Sequence, residues 1–294
     1  MHTSKTEHFE SYRQKHAFMA ELPNVSLNFG PVEDENAHPL EQVYLSNIFK
    51  NLSQEPHFKN FNFYIIGSQA PWDFEINEKS VVFYMSNEDH VIPESVSKAH
   101  AVFTPYCPLN NCPSNVFAIP LGYNGSLREL PIKPIEERSI DVFFSGNLHR
   151  RRGPFFLGTK LFLFMAKMMG KPYNLRVGFG RQFGGGLSPD EYSKVLMDSK
   201  IALVPEGYIS NNSFRFFEAS KYGTIVITKT LYDFWFYKNF PGYQRSNWFG
   251  LGRLLNRLLS DEAKMKAVHQ EMLSYFQSQC SENAVAHYIA EQLK

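Results

Sequence analysis

Short apolar segments recur along the chain, and most are followed by polar or glycine-containing residues and then by a segment with helical periodicity. A continuous apolar run is typical of a strand buried on both faces, because a strand exposed on one face alternates polar and apolar residues. Strands of this kind, alternating with helices, form parallel sheets covered by helices. The pattern therefore predicts an α/β fold built from βα units.

The first half of the chain contains four such runs, and they predict strands over 61–67, 80–86, 99–105 and 115–122. A longer amphipathic helix is predicted over 37–55. After Gly122 the sequence YNGSLRELPIKPIEER mixes glycine, proline and charge, which is typical of a linker. We therefore predict a first Rossmann-like domain over 1–130.

The second half restarts the same pattern, with strands predicted over 140–146, 173–180, 200–207 and 224–229. Helices are predicted over about 153–169, over 189–198 and over the segment that begins near Ser213. From Gly250 onward the chain is mostly helical. With 294 residues, 43% of them hydrophobic, the chain can form two cores. We expect a second Rossmann-like domain over 131–294 and a cleft between the two.

Bulk charge and apolar content bear on partners and location. The formal net charge of +1 gives no global reason to expect nucleic acid or an anionic membrane, so any positive charge must act locally. No window reaches the roughly 18 to 20 apolar residues of a membrane span, since the nearest, GPFFLGTKLFLFMAKMMG, is interrupted by Lys160 and Lys167, and no signal peptide is evident. We expect a soluble, cytoplasmic chain. Three cysteines, an odd number, favour a reducing compartment. The alternative is a disulfide between Cys107 and Cys112.

The segment FFSGNLHRRRG, residues 143 to 153, joins a predicted strand to a basic turn. A glycine at such a turn lets backbone N–H groups approach an anion, and arginine is a forked donor for phosphate oxygens. We predict that Ser145, Gly146, Arg150 and Arg152 contact the phosphates of a ligand. The alternative is a solvated basic turn.

The segment VPEGYISNNSFRFFEA, residues 204 to 219, follows the next strand of the predicted sheet. Its helix begins near Ser213, so the helix N-terminus and the loop residues Tyr208 and Asn212 should lie at the binding edge. Arg215 can then reach phosphate, and Glu218 can accept hydrogen bonds from ribose hydroxyls. The alternative is an ordinary intrahelical ion pair between Arg215 and Glu218.

These two segments resemble the donor domain of exostosin-type glycosyltransferases. SKIALVPEGYISNNSFRFFEASKYGTIVIT is similar to that family's signature around Ser-Phe-Arg-Phe-x-Glu-Ala, and DVFFSGNLHRRRG is similar to its upstream basic segment. The resemblance covers residues 140 to 230. It implies a GT-B fold, a UDP-sugar donor, transfer with inversion, Ser213 and Arg215 at the diphosphate, and Glu218 at the ribose.

The chain contains no DxD motif after a strand, which a metal-dependent transferase would use to hold Mg²⁺ or Mn²⁺ on the diphosphate. Arginines and the helix dipole would instead neutralise the leaving UDP. We therefore expect no metal and no cofactor, with a nucleotide sugar and a carbohydrate acceptor as the partners.

Inverting transfer needs a general base close to the acceptor hydroxyl, and we expect it from the first domain. Asp73 follows the predicted strand 61–67 and is our first choice, with Trp72 as a stacking surface for the acceptor sugar. Glu88, Asp89 and His90 follow the next strand and are expected to bind the acceptor. For each of them the alternative is a turn or helix-capping residue.

Three functional interpretations follow. The leading one is an inverting, metal-independent glycosyltransferase, and the resemblance allows a pentose donor such as UDP-xylose. A second is a fucosyltransferase-like GT-B enzyme that uses GDP-fucose, because VVFYMSNEDH and LVPEGYISNNSFRFFEA are also similar to the layout of that group. The third is a nucleotide- or sugar-binding module without catalysis.

Overall fold

The computed structural model describes residues 18–19, 21–28, 42–67, 74–168, 170–180 and 186–294, with only the backbone of Arg150. The elements in chain order are β1 (Val25–Asn28), α1 (Gln42–Leu52), β2 (Asn62–Gly67), β3 (Ser80–Met85), α2 (Glu94–Ser97), β4 (Ala101–Thr104), β5 (Val116–Ala118), β6 (Ile140–Asn147), α3 (Gly153–Met168), β7 (Leu175–Gly180), α4 (Pro189–Met197), β8 (Ser199–Val204), α5 (Phe214–Lys221), β9 (Ile225–Lys229), β10 (Tyr243–Arg245), α6 (Leu251–Leu259), α7 (Glu262–Tyr275) and α8 (Glu282–Gln292).

The chain forms two compact units. The first comprises Met1–Gly125 together with Cys280–Lys294, and the second comprises Ser126–Gln279. The change of unit after Gly125 lies in the segment interpreted as a linker. Helix α8, which the sequence analysis placed in the second domain, belongs to the first unit, where Tyr44 Oη donates a 2.6 Å hydrogen bond to the Cys280 carbonyl.

The first unit contains a five-stranded parallel sheet in the order β1-β2-β3-β4-β5. Strand β3 is buried along its whole length, as a sheet covered on both faces requires. The rings of Phe49, Phe58, Phe63 and Phe83 pack together between α1 and the sheet. Strand β1 was not predicted, because four residues carry too little periodicity to be recognised.

The second unit contains a five-stranded parallel sheet in the order β10-β9-β8-β6-β7. Its predicted strands are all present, while the short edge strand β10 was missed because its sequence, YQR, is polar. Leu251, Leu254, Leu255 and Leu258 recur at the spacing of one helical face and are buried on that face of α6.

Two aromatic residues of α5 belong to the core of this unit. Phe216 and Phe217 are buried, and their ring centroids lie 5.1 and 6.2 Å from that of Tyr237. The run 232–243 therefore contributes to core packing through Phe236 and Tyr237. Within the described ranges, no helix combines the length and the apolar character needed to span a bilayer.

Candidate functional site

Strands β6 and β8 pair side by side in the second sheet, with Phe143 opposite Ala202. From β6 the chain adds β7 on one side and then returns to add β8 on the other side. In open α/β sheets, ligands bind outside the carboxyl ends of the strands at such a switch point. Since β6 ends at Asn147 and β8 at Val204, the two segments predicted to hold the donor meet at this edge.

Arg215, in the first turn of α5, connects the two segments. Its Nε donates a 2.9 Å hydrogen bond to the Ser145 carbonyl, and its Cζ lies 5.7 Å from the centre of the Phe144 ring. The ion pairs within the described residues do not include one between Arg215 and Glu218. Strand β6 therefore orients this guanidinium through its Nε. The N–H groups on the two Nη atoms take no part in the hydrogen bond to Ser145.

Gly146 makes room for this arrangement. A Cβ placed on Gly146 would lie 2.6 Å from Arg215 Nη2 and 3.1 Å from its Cζ. A real side chain would push the guanidinium away, so glycine here allows the arginine to approach the backbone of β6. Gly186 lies near the same point, since a Cβ on it would be 3.1 Å from Ser145 Oγ. Gly186, which follows β7 in the sequence, thus lies beside β6.

Glu218 is buried one turn further into α5, with 4% of its surface exposed. Tyr192 Oη donates a 2.6 Å hydrogen bond to its Oε2. Burial, followed by the nearby Glu218 carboxylate, raises the pKa of Tyr192 well above its usual value, so the phenol stays protonated and keeps donating. A buried carboxylate is thus oriented by a neutral partner.

Sequence reasoning did not select Tyr192, although a signal was present. Ser188 and Glu191 form a capping box at the start of α4, which follows β7 and therefore begins at the binding edge. Tyr192 lies in the first turn of that helix, next to the same edge.

Arg152 is buried and ties β6 to the loop after β8. Its Nε donates to the Glu206 carbonyl at 2.8 Å, and its Nη1 donates to the backbone and side-chain oxygens of Asn147 at 2.9 and 3.1 Å. Burial, with the positive charge of Arg215 second, lowers the pKa of Arg152 to about 10. The guanidinium remains charged at neutral pH and adds to the positive potential beside Arg215.

The loop between β8 and α5 is held by several side chains. Asn212 is buried and accepts a 2.7 Å hydrogen bond from Tyr237 Oη. Arg151, which sequence reasoning did not select, donates to the Ile209 carbonyl and to Asn211 Oδ1. Ser213 occupies the N-cap position of α5 without a side-chain capping bond. Its hydroxyl is therefore not committed to the helix N–H groups.

His149 and Tyr208 meet at the outer side of this loop, with ring centroids 5.4 Å apart. Tyr208 is exposed, whereas His149 Nε2 is buried and has no hydrogen-bond partner among the described residues. Burial lowers the pKa of His149, and the charges of Arg152 and Arg151 lower it further. The imidazole is neutral near pH 7. After Tyr192 and Arg151, His149 is the third residue of the site that sequence reasoning missed.

A cavity of about 230 Å³ opens beside the same loop, after strand β9. Tyr232 lines it and accepts a 3.1 Å hydrogen bond from the Asn211 backbone N–H. The remaining lining residues are Leu231, Asp233, Phe234, Tyr237, Lys238 and Gln244.

In the first unit, the segment after β3 carries the predicted acceptor residues. Asp89 is exposed and Glu88 is half-buried. His90 has a left-handed backbone, with φ 60°, and its Nδ1 lies 2.8 Å from the Cys107 carbonyl. Asp73, Trp72 and the side chain of Arg150 lie outside the described residues. No group of three or more His, Cys, Asp or Glu suited to a metal ion occurs within the described ranges.

No protein-family model and no curated protein matches the chain. Among solved structures it is similar to sucrose-phosphate synthase from Thermosynechococcus elongatus, with a TM-score of 0.50, 14% identity, and coverage of 96% of this chain and 91% of that one. It is also similar to the Gap123 glycosylation-associated protein complex from Streptococcus agalactiae, with a TM-score of 0.50, 11% identity, and coverage of 86% and 58%.

At these identities the similarity establishes the fold alone. The chain is an α/β protein with two Rossmann-like units, each built on a parallel sheet, and this is the organisation of the GT-B fold predicted from its sequence.

Proposed function

We propose that this protein is a glycosyltransferase that moves a sugar from a UDP-sugar to a glycan hydroxyl, with inversion and without a metal ion. The observation that carries the proposal is the placement of Arg215. Strand β6 holds its guanidinium at the switch point of the sheet through the Ser145 carbonyl, beside the N-terminus of α5. A diphosphate at that position would meet an oriented arginine and the positive end of a helix.

Glu218 supplies the second half of the donor site. A carboxylate can accept several hydrogen bonds, and Tyr192 provides one of them. The vicinal hydroxyls of a ribose attached to the diphosphate are suitable further donors. The spacing of Arg215 and Glu218 along α5 matches the order of phosphate and ribose in a nucleoside diphosphate.

The arginines supply the charge for the leaving group. The positive charges of Arg152 and Arg215 are close enough to lower the pKa of Arg152, and Arg151 lies against the same loop. Fixed positive groups of this kind stabilise the charge that develops on UDP as the glycosidic bond breaks. We therefore assign the neutralising role to arginine rather than to a divalent cation.

In the proposed reaction the acceptor hydroxyl oxygen attacks the anomeric carbon, the bond from that carbon to UDP breaks, and UDP leaves with the electron pair. A general base takes the hydroxyl proton, and we assign this role to Asp73 in the first unit. The similarity of residues 140 to 230 to exostosin-type enzymes favours this reaction class, and the fold is consistent with it. Sucrose-phosphate synthase is, by its name, a synthase of sucrose phosphate.

A panel of nucleotides tests the proposal directly. UDP and UDP-sugars should raise the unfolding temperature, since a ligand present at a hundred times its Kd adds about 2.7 kcal/mol of apparent stability. Stabilisation by GDP in place of UDP would favour the fucosyltransferase-like alternative. UDP binding without transfer or hydrolysis of any UDP-sugar would favour the binding module, and no response to any nucleotide would contradict the site itself.

A further inference from the structure

Helix α3 carries a row of large apolar side chains on its exposed face. They recur at the spacing of one helical face, and their exposed fractions are 62% for Leu157, 53% for Leu161, 62% for Phe164, 47% for Met165 and 72% for Met168. We call this set the α3 apolar face. Contiguous exposed apolar patches in globular proteins mark interaction sites.

This face is separate from the face through which α3 joins its own core. Phe155, Thr159, Phe162 and Ala166 are the buried residues of the helix. A Cβ on Gly252 of α6 would lie 3.1 Å from the Phe162 ring, so α3 and α6 are in close contact on that side. The core therefore accounts for one apolar face of α3 and leaves the other unexplained.

The charge of the surrounding sequence has one sign. Between Asp141 and Asp190 the chain contains no acidic residue and eight basic ones, although the whole protein has a net charge of only +1. The basic residues are Arg150, Arg151, Arg152, Lys160, Lys167, Lys171, Arg176 and Arg181. Lys160 and Lys167 are exposed on α3 itself. A partner that covers the α3 apolar face thus meets the positive charge of these two lysines.

We propose that the α3 apolar face lies on the surface of an anionic lipid bilayer. Apolar side chains of a helix in this position enter the boundary between headgroups and acyl chains, and lysines extend toward the headgroups. Basic residues near the surface add attraction to anionic lipids. The combination of apolar and basic residues on one helix provides both contributions, and the proposal does not depend on the donor or acceptor of the proposed reaction.

Two other occupants of the α3 apolar face, a second copy of the chain and a nucleic acid, fit these residues less well. A symmetric contact of α3 with α3 of a second copy would bring Lys160 and Lys167 toward their own counterparts, with no acidic residue on the helix to compensate. A nucleic acid would use the basic residues but would gain little from Leu161 or Phe164, because its affinity comes mainly from phosphate contacts.

The test is sedimentation of the full chain with two kinds of vesicle. Neutral vesicles contain phosphatidylcholine alone, and anionic vesicles contain phosphatidylcholine with about a third of phosphatidylglycerol. We expect binding to the anionic vesicles, weak binding to the neutral ones, and weakening as salt is raised. The double variant Leu161→Gln, Phe164→Gln should reduce the partition coefficient about tenfold or more, and Lys160→Gln with Lys167→Gln should reduce it by about tenfold at low salt.

The matched control is Val91→Gln with Leu109→Gln, two residues of similar exposure in the first unit. It should bind vesicles like the wild type. Thermal unfolding of all variants shows whether each is folded, and Leu157→Gln with Met168→Gln replaces the first pair if that pair is unstable.

Three results would overturn the proposal. The first is the absence of binding to anionic vesicles. The second is binding that the double glutamine variants of α3 leave unchanged. The third is a dimer in sedimentation velocity that dissociates only in those variants. The last result would assign the face to a second copy of the chain.

Discussion

The phenol of Tyr192 on α4 donates a 2.6 Å hydrogen bond to the buried carboxylate of Glu218 on α5. The two residues are 26 positions apart in the sequence, so the bond connects helices that follow different strands. Since the raised pKa of Tyr192 keeps its proton in place, Glu218 is held as an acceptor at the edge where the donor site is proposed.

Removing the Tyr192 hydroxyl should therefore weaken recognition of the ribose. Tyr192→Phe is expected to lower UDP affinity by about tenfold. A hydrogen bond to a charged group contributes roughly 1.5 to 3 kcal/mol, and only part of this free energy contributes to UDP binding. Isothermal titration with UDP and with inorganic diphosphate measures the effect. Diphosphate has no ribose, so its affinity should be unchanged, and an equal loss for both ligands would contradict the role given to Glu218.

Arg215→Ala should weaken UDP and inorganic diphosphate alike, by about ten- to a hundredfold, through loss of charge-assisted hydrogen bonds. Gly146→Ala should produce a similar loss with Arg215 still present, because the added Cβ would lie 2.6 Å from Nη2 and displace a flexible guanidinium. The double variant should be no weaker than Arg215→Ala alone. Fully additive losses would show that Gly146 acts independently of Arg215.

Asp73→Asn tests the proposed base, since asparagine keeps the size of the side chain and removes its basicity. We expect kcat to fall by about 10² to 10⁴-fold with UDP affinity near that of the wild type. Replacing Glu88, Asp89 or His90 should raise KM for the acceptor more than it lowers kcat. A kcat within about threefold of wild type for Asp73→Asn, with a collapse in one of the other three, would move the role to that residue.

Activity should survive excess EDTA, because the positive charges at the proposed diphosphate position come from Arg152 and Arg215. The measurement is transfer from a UDP-sugar before and after chelation and dialysis. Loss of turnover that Mn²⁺ restores would show that a cation, and not arginine alone, neutralises the leaving group.

Stability should decrease as the pH falls below about 6.5, the usual pKa of histidine. Burial lowers the pKa of His269, whose Nδ1 lies 2.7 Å from the Gly223 carbonyl, and it also lowers the pKa of His149. Between the unfolded and the lower folded pKa, the unfolded chain binds protons that the folded chain does not, so acid favours unfolding.

Urea unfolding at several pH values measures this dependence. His269→Gln keeps a side-chain N–H that can donate to the Gly223 carbonyl. This variant should show a smaller slope of unfolding free energy against pH in this range, and the remaining slope is the contribution of His149. If the unfolding free energies of the wild type and the variant change with pH at the same slope, His269 contributes nothing to the pH dependence.

The order and type of the main elements could be predicted from the sequence, because the periodicity of a strand or helix is a local property. Residues 200–207 show this, since their apolar run became β8, and so does α6, which lies in the part of the chain predicted to be helical. The short strands β1 and β10 were missed because pairing with β2 and β9, and not their own composition, defines them.

The chemistry of the candidate site divides in the same way. The sequence alone determined which residues reach the carboxyl edge of the second sheet, since a strand followed by a helix places the connecting loop there. Only the tertiary structure decided their partners. Arg215 is oriented by Ser145, 70 positions away, and Glu218 by Tyr192, because such contacts depend on which strands are adjacent and how the helices pack. Spacing along one helix left an ion pair between Arg215 and Glu218 as the alternative, and the ion pairs of the described residues do not include it.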